Sequence, residues 1–179
     1  MIHLPNAISF GRLLSVPIVI YLMLKGMMVG AFWIFVVASL SDAVDGYLAR
    51  RFNFSSRLGV YLDPFADKIL LISVFLMLGY LHEASLFLIV GLIGRDLLIF
   101  CAIFQLRRSI GDNLGSPIFI SKVHTLLQMV FVTIVLGKHA FSLSINETFL
   151  SLLGYVIMGT TLFSAIEYIR IWRKFLKKT

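Results

Sequence analysis

The sequence predicts an all-α protein, a polytopic membrane chain of six transmembrane helices with its working site at the cytoplasmic side of the bundle. Three observations predict it. Hydrophobic residues make up 59% of the 179 and charged residues only 14%, against about 45–50% and about 25% in a soluble domain. The mean hydropathy is +0.95. The apolar residues also fall into six runs, each near the ~20 residues a helix needs to cross a bilayer. Those runs and their short loops use up the chain, so residues 1–179 are expected to form a single membrane domain.

The first span is expected from about Ser9 to Leu24, with Asn6 or Ser9 as its cap and Pro17 inside it. The opening run MIHLPNAISFGRLLSVP has no charged region followed by a small-residue cleavage site, which argues against a removed signal peptide. The second span covers Gly30 to Ala49, the third Leu58 to Leu81 and the fourth Ala84 to Leu106. The fifth covers Pro117 to Leu136 and the sixth Thr148 to Trp172. Helical periodicity is weak, because a membrane helix is apolar on its lipid face and its packed face alike, so length is the usable signal.

The formal net charge is +7, and the placement of that charge matters more than its size. One set of span ends gathers Arg12, Arg50, Arg51, Arg57, Arg107, Arg108 and the C-terminal cluster IRIWRKFLKKT. The opposite loops hold only Lys25 and Lys138. Lys and Arg collect on the cytoplasmic side, so both termini and the loops near residues 50–57 and 106–117 are expected there. Basic residues used this way hold a helix end against anionic lipid. With no soluble recognition module to present them, a nucleic-acid partner is excluded. The lone Cys101 rules out an intramolecular disulfide, and no Cys or His has metal-ligand spacing.

Five aspartates (Asp42, Asp45, Asp63, Asp67 and Asp96) fall inside expected spans, where each ionised carboxylate costs at least ~2.5 kcal/mol near the bilayer centre. Asp42 and Asp45 are three residues apart and Asp63 and Asp67 four apart, so each pair shares a helix face. The first pair lies near the end of one span and the second near the start of the next, so both reach a similar depth close to the cytoplasmic surface. Four converging carboxylates would repel or take up protons. Two hard divalent ions, Mg²⁺ or Mn²⁺, resolve that conflict and form the usual clamp for phosphoryl chemistry. Gly46 and Gly59 allow a ligand to approach the backbone, and Arg50 can reach a phosphate from the helix end.

The run DAVDGYLARRFNFSSRLGVYLDPFAD fits the pattern D-x2-D-G-x2-A-R-x8-G-x3-D-x3-D, with Asp42, Asp45, Gly46, Ala49, Arg50, Gly59, Asp63 and Asp67 at its fixed places. It resembles the signature of the CDP-alcohol phosphotransferase family. Eight fixed positions, each met by chance less than about one time in ten, make coincidence negligible. The LPNAISFGRLLSVP start, the six-helix layout and the length are similar as well. The resemblance implies transfer of the phosphatidyl group of CDP-diacylglycerol to an alcohol with release of CMP. It implies that Asp42, Asp45, Asp63 and Asp67 hold two metal ions and that Asp67 is the general base. It places the CDP moiety on Asp42, Gly46, Ala49, Arg50 and Gly59. It also implies a homodimer in a bacterial or mitochondrial inner membrane.

The acceptor is expected to meet cations of the second half: Arg95 in the fourth span, Arg107 at its end and Lys122 in the fifth. Two branches of the family compete. Phosphatidylglycerophosphate synthases tend to show Arg-Glu in the fourth span and Gly-Lys-x-Lys-Thr in the fifth. This chain has Arg95-Asp96 and Ser121-Lys122-Val123-His124-Thr125, more similar to the cardiolipin synthases. One Lys fewer suits the single charge of phosphatidylglycerol over the nearly double charge of glycerol 3-phosphate, although a protonated His124 would restore a cation. Phosphatidylglycerol is thus the favoured acceptor and glycerol 3-phosphate the alternative. A cation transporter is the remote rival, since intramembrane carboxylates often line ion paths. Transporter sites lie nearer the midplane and show internal repeats, which this chain lacks.

Overall fold

The computed structural model describes the backbone of residues 3–52, 59–110 and 119–176, and the side chains of residues 10–41, 65–101, 121–170 and 173. It is all-α: α1 (His3–Leu24), α2 (Met28–Phe52), α3 (Gly59–Tyr80), α4 (Leu86–Ile110), α5 (Phe119–Ala140) and α6 (Glu147–Leu176). No strand occurs among the described residues. The six helices coincide with the six expected spans, but several run further. Helix α1 begins at His3, so Asn6 and Ser9 lie inside it and not at its start. Helices α2 and α6 continue to Phe52 and Leu176. Apolar length marks only the stretch suited to hydrocarbon, whereas backbone hydrogen bonding continues into polar sequence until something stops it.

Within the described residues, Ser121–Ala140 and Glu147–Arg170 are long and apolar enough to cross a membrane, and Phe10–Leu24 and Met28–Ser41 are shorter apolar stretches. The chain divides into two compact units. One comprises Met1–Glu83 with Met129–Ile145, the other Ala84–Gln128 with Asn146–Thr179, so α5 contributes to both.

In the first unit α1 packs along both α2 and α3, which touch each other much less. The packed faces follow helical spacing: Val16, Val19 and Met23 on α1, Ala31, Phe35 and Ala38 on α2, Leu70, Val74 and Leu78 on α3. Phe75 of α3 stacks on Phe131 of α5 with ring centres 5.8 Å apart. The other faces are equally apolar. Phe10, Leu14, Ile18 and Tyr21 line the outside of α1, and Val29, Trp33, Val37 and Leu40 that of α2. Contiguous apolar stripes of this kind are uncommon on a water-soluble surface. They also explain the weak periodicity, since both faces of each helix are greasy.

In the second unit α4 packs on α6. Leu88, Leu92, Arg95 and Ile99 face inward from α4, and Ile157, Thr161, Ser164 and Tyr168 from α6, at spacings of four and three. The end of the Met158 side chain lies over Gly91, where an added Cβ would stand 2.7 Å from its methyl carbon and push that flexible end aside.

Three helices end in the same way. The Met27 amide donates to the Leu22 carbonyl at 2.9 Å and the Gly26 amide to Met23 at 3.1 Å, with Gly26 at φ +71°. His82 (φ 62°) closes α3 with the matching bonds, Glu83 to Leu78 and His82 to Gly79, and Ser142 (φ 51°) follows α5. A left-handed residue after the last turn lets the chain reverse while its last carbonyls stay satisfied. These are the three short turns that follow α1, α3 and α5.

Candidate active site

Helix α2 carries Asp42, Asp45, Gly46, Ala49 and Arg50 in its last three turns. Helix α3 starts at Gly59 and carries Asp63 and Asp67 in its first turns. The helical backbone therefore keeps each aspartate pair on one face, as the spacing indicates. The side chains of Asp42, Asp45, Ala49, Arg50 and Asp63 lie outside the described residues, and so does that of Arg107 in the second half. Among the described residues no three His, Cys, Asp or Glu side chains come together. Asp67 is the one motif carboxylate whose surroundings are described.

Those surroundings contain a cation from α1. Arg12 Nη1 stands 3.4 Å from Asp67 Oδ1, and the Arg12 side chain is only 1% exposed. Arg12 Nε donates to the Ala38 carbonyl of α2 at 3.3 Å. One guanidinium thus joins α1 to the backbone of α2 and to a motif aspartate of α3. Ser15 Oγ donates to the Arg12 carbonyl at 2.6 Å. Sequence reasoning counted Arg12 among the interfacial charges and missed this. The signal was an arginine set within an apolar run, where burial demands a counter-charge.

A second polar centre lies in the other unit, around Arg95. Its Nη1 lies 2.7 Å from Asp96 Oδ1. Its Nη2 donates to Ser121 Oγ at 2.7 Å and to Ser164 Oγ at 2.8 Å. Both Arg95 and Asp96 are buried, so the guanidinium's charge is balanced locally and its planar fork is spread over three helices. Lys122, also expected near the acceptor, is exposed.

One turn beyond Ser121, His124 is fully buried. Its Nδ1 lies 2.9 Å from Thr160 Oγ1, and Thr160 gives its only hydroxyl proton to the Ile157 carbonyl at 2.8 Å. The His124 Nδ1–H is therefore the donor in that bond. His124 Nε2 lies 3.1 Å from the side-chain amide of Gln128. Ser121, His124 and Gln128 form one inward face of α5. Elsewhere Glu167 pairs with Arg170 one turn on, at 2.7 Å. Glu83 takes Lys138 at 3.2 Å and His139 at 2.8 Å.

An all-helical chain with a complete D-x2-D-G-x2-A-R-x8-G-x3-D-x3-D motif across α2 and α3 defines a class, and comparison with known proteins agrees. Residues 2–166 match the CDP-alcohol phosphatidyltransferase family model, and the chain belongs to that family. The match runs across both units. Among relatives, a cardiolipin synthase (CMP-forming) of Rattus norvegicus is 31% identical over 96% of this chain and 62% of its own length. A chloroplastic CDP-diacylglycerol–glycerol-3-phosphate 3-phosphatidyltransferase of Oryza sativa is 30% identical over 93% of this chain and 56% of its own. The chain thus spans about three-fifths of the length of these two. A CDP-diacylglycerol–glycerol-3-phosphate 3-phosphatidyltransferase of Wigglesworthia glossinidia brevipalpis is 33% identical over 86% of this chain and 93% of its own length.

Proposed function

We propose that this chain is an integral membrane phosphatidyltransferase that moves the phosphatidyl group of CDP-diacylglycerol to a glycerol-type acceptor and releases CMP. The observation that carries this is the complete eight-position motif on α2 and α3, set within a family match that spans most of the chain. The lipid-like exterior of α1 and α2 supports a site inside a membrane, with six spans and the motif at the cytoplasmic side. Following the family resemblance, we take the working form to be a homodimer.

In this reading Gly46, Ala49, Arg50 and Gly59 bind the CDP moiety together with Asp42. Asp42, Asp45, Asp63 and Asp67 would hold two Mg²⁺ or Mn²⁺ ions, whose charge when bound offsets that of the diphosphate and of departing CMP; a donor set made only of carboxylates suits such hard ions. Asp67 takes the proton of the acceptor hydroxyl. The freed oxygen attacks the phosphorus of the phosphatidyl group, and the bond to CMP breaks with the electron pair leaving on CMP. Arg12, beside Asp67, orients that carboxylate.

For the acceptor we favour phosphatidylglycerol, which makes the product cardiolipin. Arg95, Arg107 and Lys122 are the proposed acceptor cations. The charge of Arg95 is already balanced by Asp96, which suits a phosphodiester with one charge over a phosphomonoester with nearly two. Glycerol 3-phosphate is the second reading, favoured by the Wigglesworthia relative, which this chain matches over 93% of its length. The test is to give the purified protein CDP-diacylglycerol, Mn²⁺ and each acceptor in turn. Metal-dependent CMP release with phosphatidylglycerol supports the proposal. Product from glycerol 3-phosphate alone overturns the acceptor, and cation flux without CMP release overturns the enzyme.

A further inference from the structure

One face of α5 is tied to its neighbours at two levels. At the first, Ser121 Oγ accepts a bond from Arg95 Nη2 of α4 at 2.7 Å. One turn on, the His124 Nδ1–H donates to Thr160 Oγ1 of α6 at 2.9 Å. The Gln128 side-chain nitrogen lies 3.1 Å from His124 Nε2 and can only donate, so Nε2 is its acceptor and the imidazole is neutral. His124 is 0% exposed. Apolar side chains let packed helices roll and resettle, whereas a buried and satisfied polar network holds one arrangement. Lys122 stands between the two ties in sequence but on another side of the helix. At 3.6 residues per turn it lies about 160° round α5 from His124. It is exposed, and it makes no hydrogen bond or ion pair with any described residue. Its ammonium is therefore available to a ligand.

We infer that His124 is a positioning residue for the acceptor: its bond to Thr160 ties α5 to α6, fixes the roll of α5 and so sets the direction in which Lys122 meets the acceptor's phosphate. The inference rests on the proposed function, which gives that phosphate to Lys122. His124 is buried and neutral, so it adds no charge to the acceptor site and touches no ligand. Its contribution is direction. A roll of about 10° carries a group ~6 Å from the helix axis by about 1 Å, and a misplacement of that size can cost about a hundredfold. Lys122 holds a phosphate and not the reacting hydroxyl, so its misplacement should appear in the acceptor KM, with kcat and the donor KM largely kept. A purely structural role for His124 would lower the active fraction and leave both KM values in place.

The test measures CMP release by the full chain in micelles with CDP-diacylglycerol and Mn²⁺, varying phosphatidylglycerol or glycerol 3-phosphate, whichever the wild-type protein uses. His124→Leu and Thr160→Val each remove one side of the tie. Both should raise the acceptor KM tenfold or more and change the donor KM less than threefold. His124→Asn, which places a side-chain N–H near the position of Nδ1–H, should stay within threefold of wild type for both. In a Lys122→Gln background, His124→Leu should add less than threefold, because the lysine through which it acts is gone. Donor and acceptor KM rising together, a fall in kcat with both KM values unchanged, or effects of Lys122→Gln and His124→Leu that multiply overturn the inference. If His124→Leu does not fold, the shape-preserving Thr160→Val decides by the same criteria. The ¹⁵N imidazole spectrum of the full chain gives an independent reading, with the His124 signals identified by their loss in His124→Asn. A protonated Nδ1 beside a bare Nε2 supports the tie to Thr160, and a proton on Nε2 alone overturns it. Wild-type protein that releases CMP with neither acceptor refutes the proposed function and takes the inference with it, whereas normal turnover without the KM split refutes the inference alone.

Discussion

Replacing Arg12 with Met tests the bond between α1 and the motif. Met keeps much of the length and removes the charge. The Arg12 side chain is 1% exposed and that of Asp67 16%, at a separation of 3.4 Å. Removing one member of a buried ion pair costs about 3–5 kcal/mol, because the other charge stays in a poor solvent. Asp67 retains some access, so the lower end applies, about 3 kcal/mol. The lost Arg12 Nε bond adds little, since the Ala38 carbonyl lies within α2 and keeps its helical donor. At about 2–4 °C per kcal/mol for a chain of this size, the unfolding midpoint should fall by about 6–12 °C. The assay is thermal unfolding in one detergent, followed by tryptophan fluorescence, for Arg12→Met, Asp67→Asn and the double variant. The double variant should be little worse than the poorer single one, which gives a coupling of about 2 kcal/mol. Single effects that add to within about 0.5 kcal/mol would refute a direct pair. If Asp67 holds one of the proposed ions, saturating Mn²⁺ should shrink the penalty of Arg12→Met, because the ion then supplies the compensating charge.

Three further outcomes follow from the same geometry. Asp67→Asn should lose nearly all phosphatidyl transfer while still binding CDP-diacylglycerol, as measured by CMP release beside donor binding; near-normal turnover would remove Asp67 from the role of base. Arg95→Met should destabilise by about 3 kcal/mol because Asp96 stays buried, and Arg95→Met with Asp96→Asn should recover part of that in an unfolding assay; no recovery would mean that the two charges do not depend on each other. His82→Gly should stabilise by about 1 kcal/mol, since His82 is exposed and holds a left-handed φ of 62° that costs a side-chain-bearing residue about 1–2 kcal/mol; an unchanged or lower midpoint would show that the imidazole contributes there.

The helices were readable in the sequence because apolar length is a local property. Their ends were less so. HLPNAISF is helical without being apolar throughout, so the first span was expected about six residues late. The motif was readable because its eight positions fall within 26 consecutive residues. Arg95 with Asp96 was readable as a neighbouring pair, but Ser121 and Ser164 lie 26 and 69 residues from Arg95 and nothing local points to them. Arg12 and Asp67 are 55 positions apart, and an arginine near a span end looks the same whether it anchors in headgroups or turns inward. How the second and third helices meet also needed the fold. Helix α1 lies against both, and they meet only slightly among the described residues. That arrangement brings an N-terminal arginine to the motif.

The Arg12–Asp67 pair bears on the order of assembly. A domain whose carboxylates depend wholly on a metal for neutrality cannot settle until the metal arrives, and chelators then unfold it. Here one of the motif aspartates has a counter-ion of its own, carried by α1. If the motif carboxylates hold the two proposed divalent ions, the helices around Asp67 can pack while ion-free, and loading an ion becomes an exchange of one positive charge for another around a carboxylate already held in position.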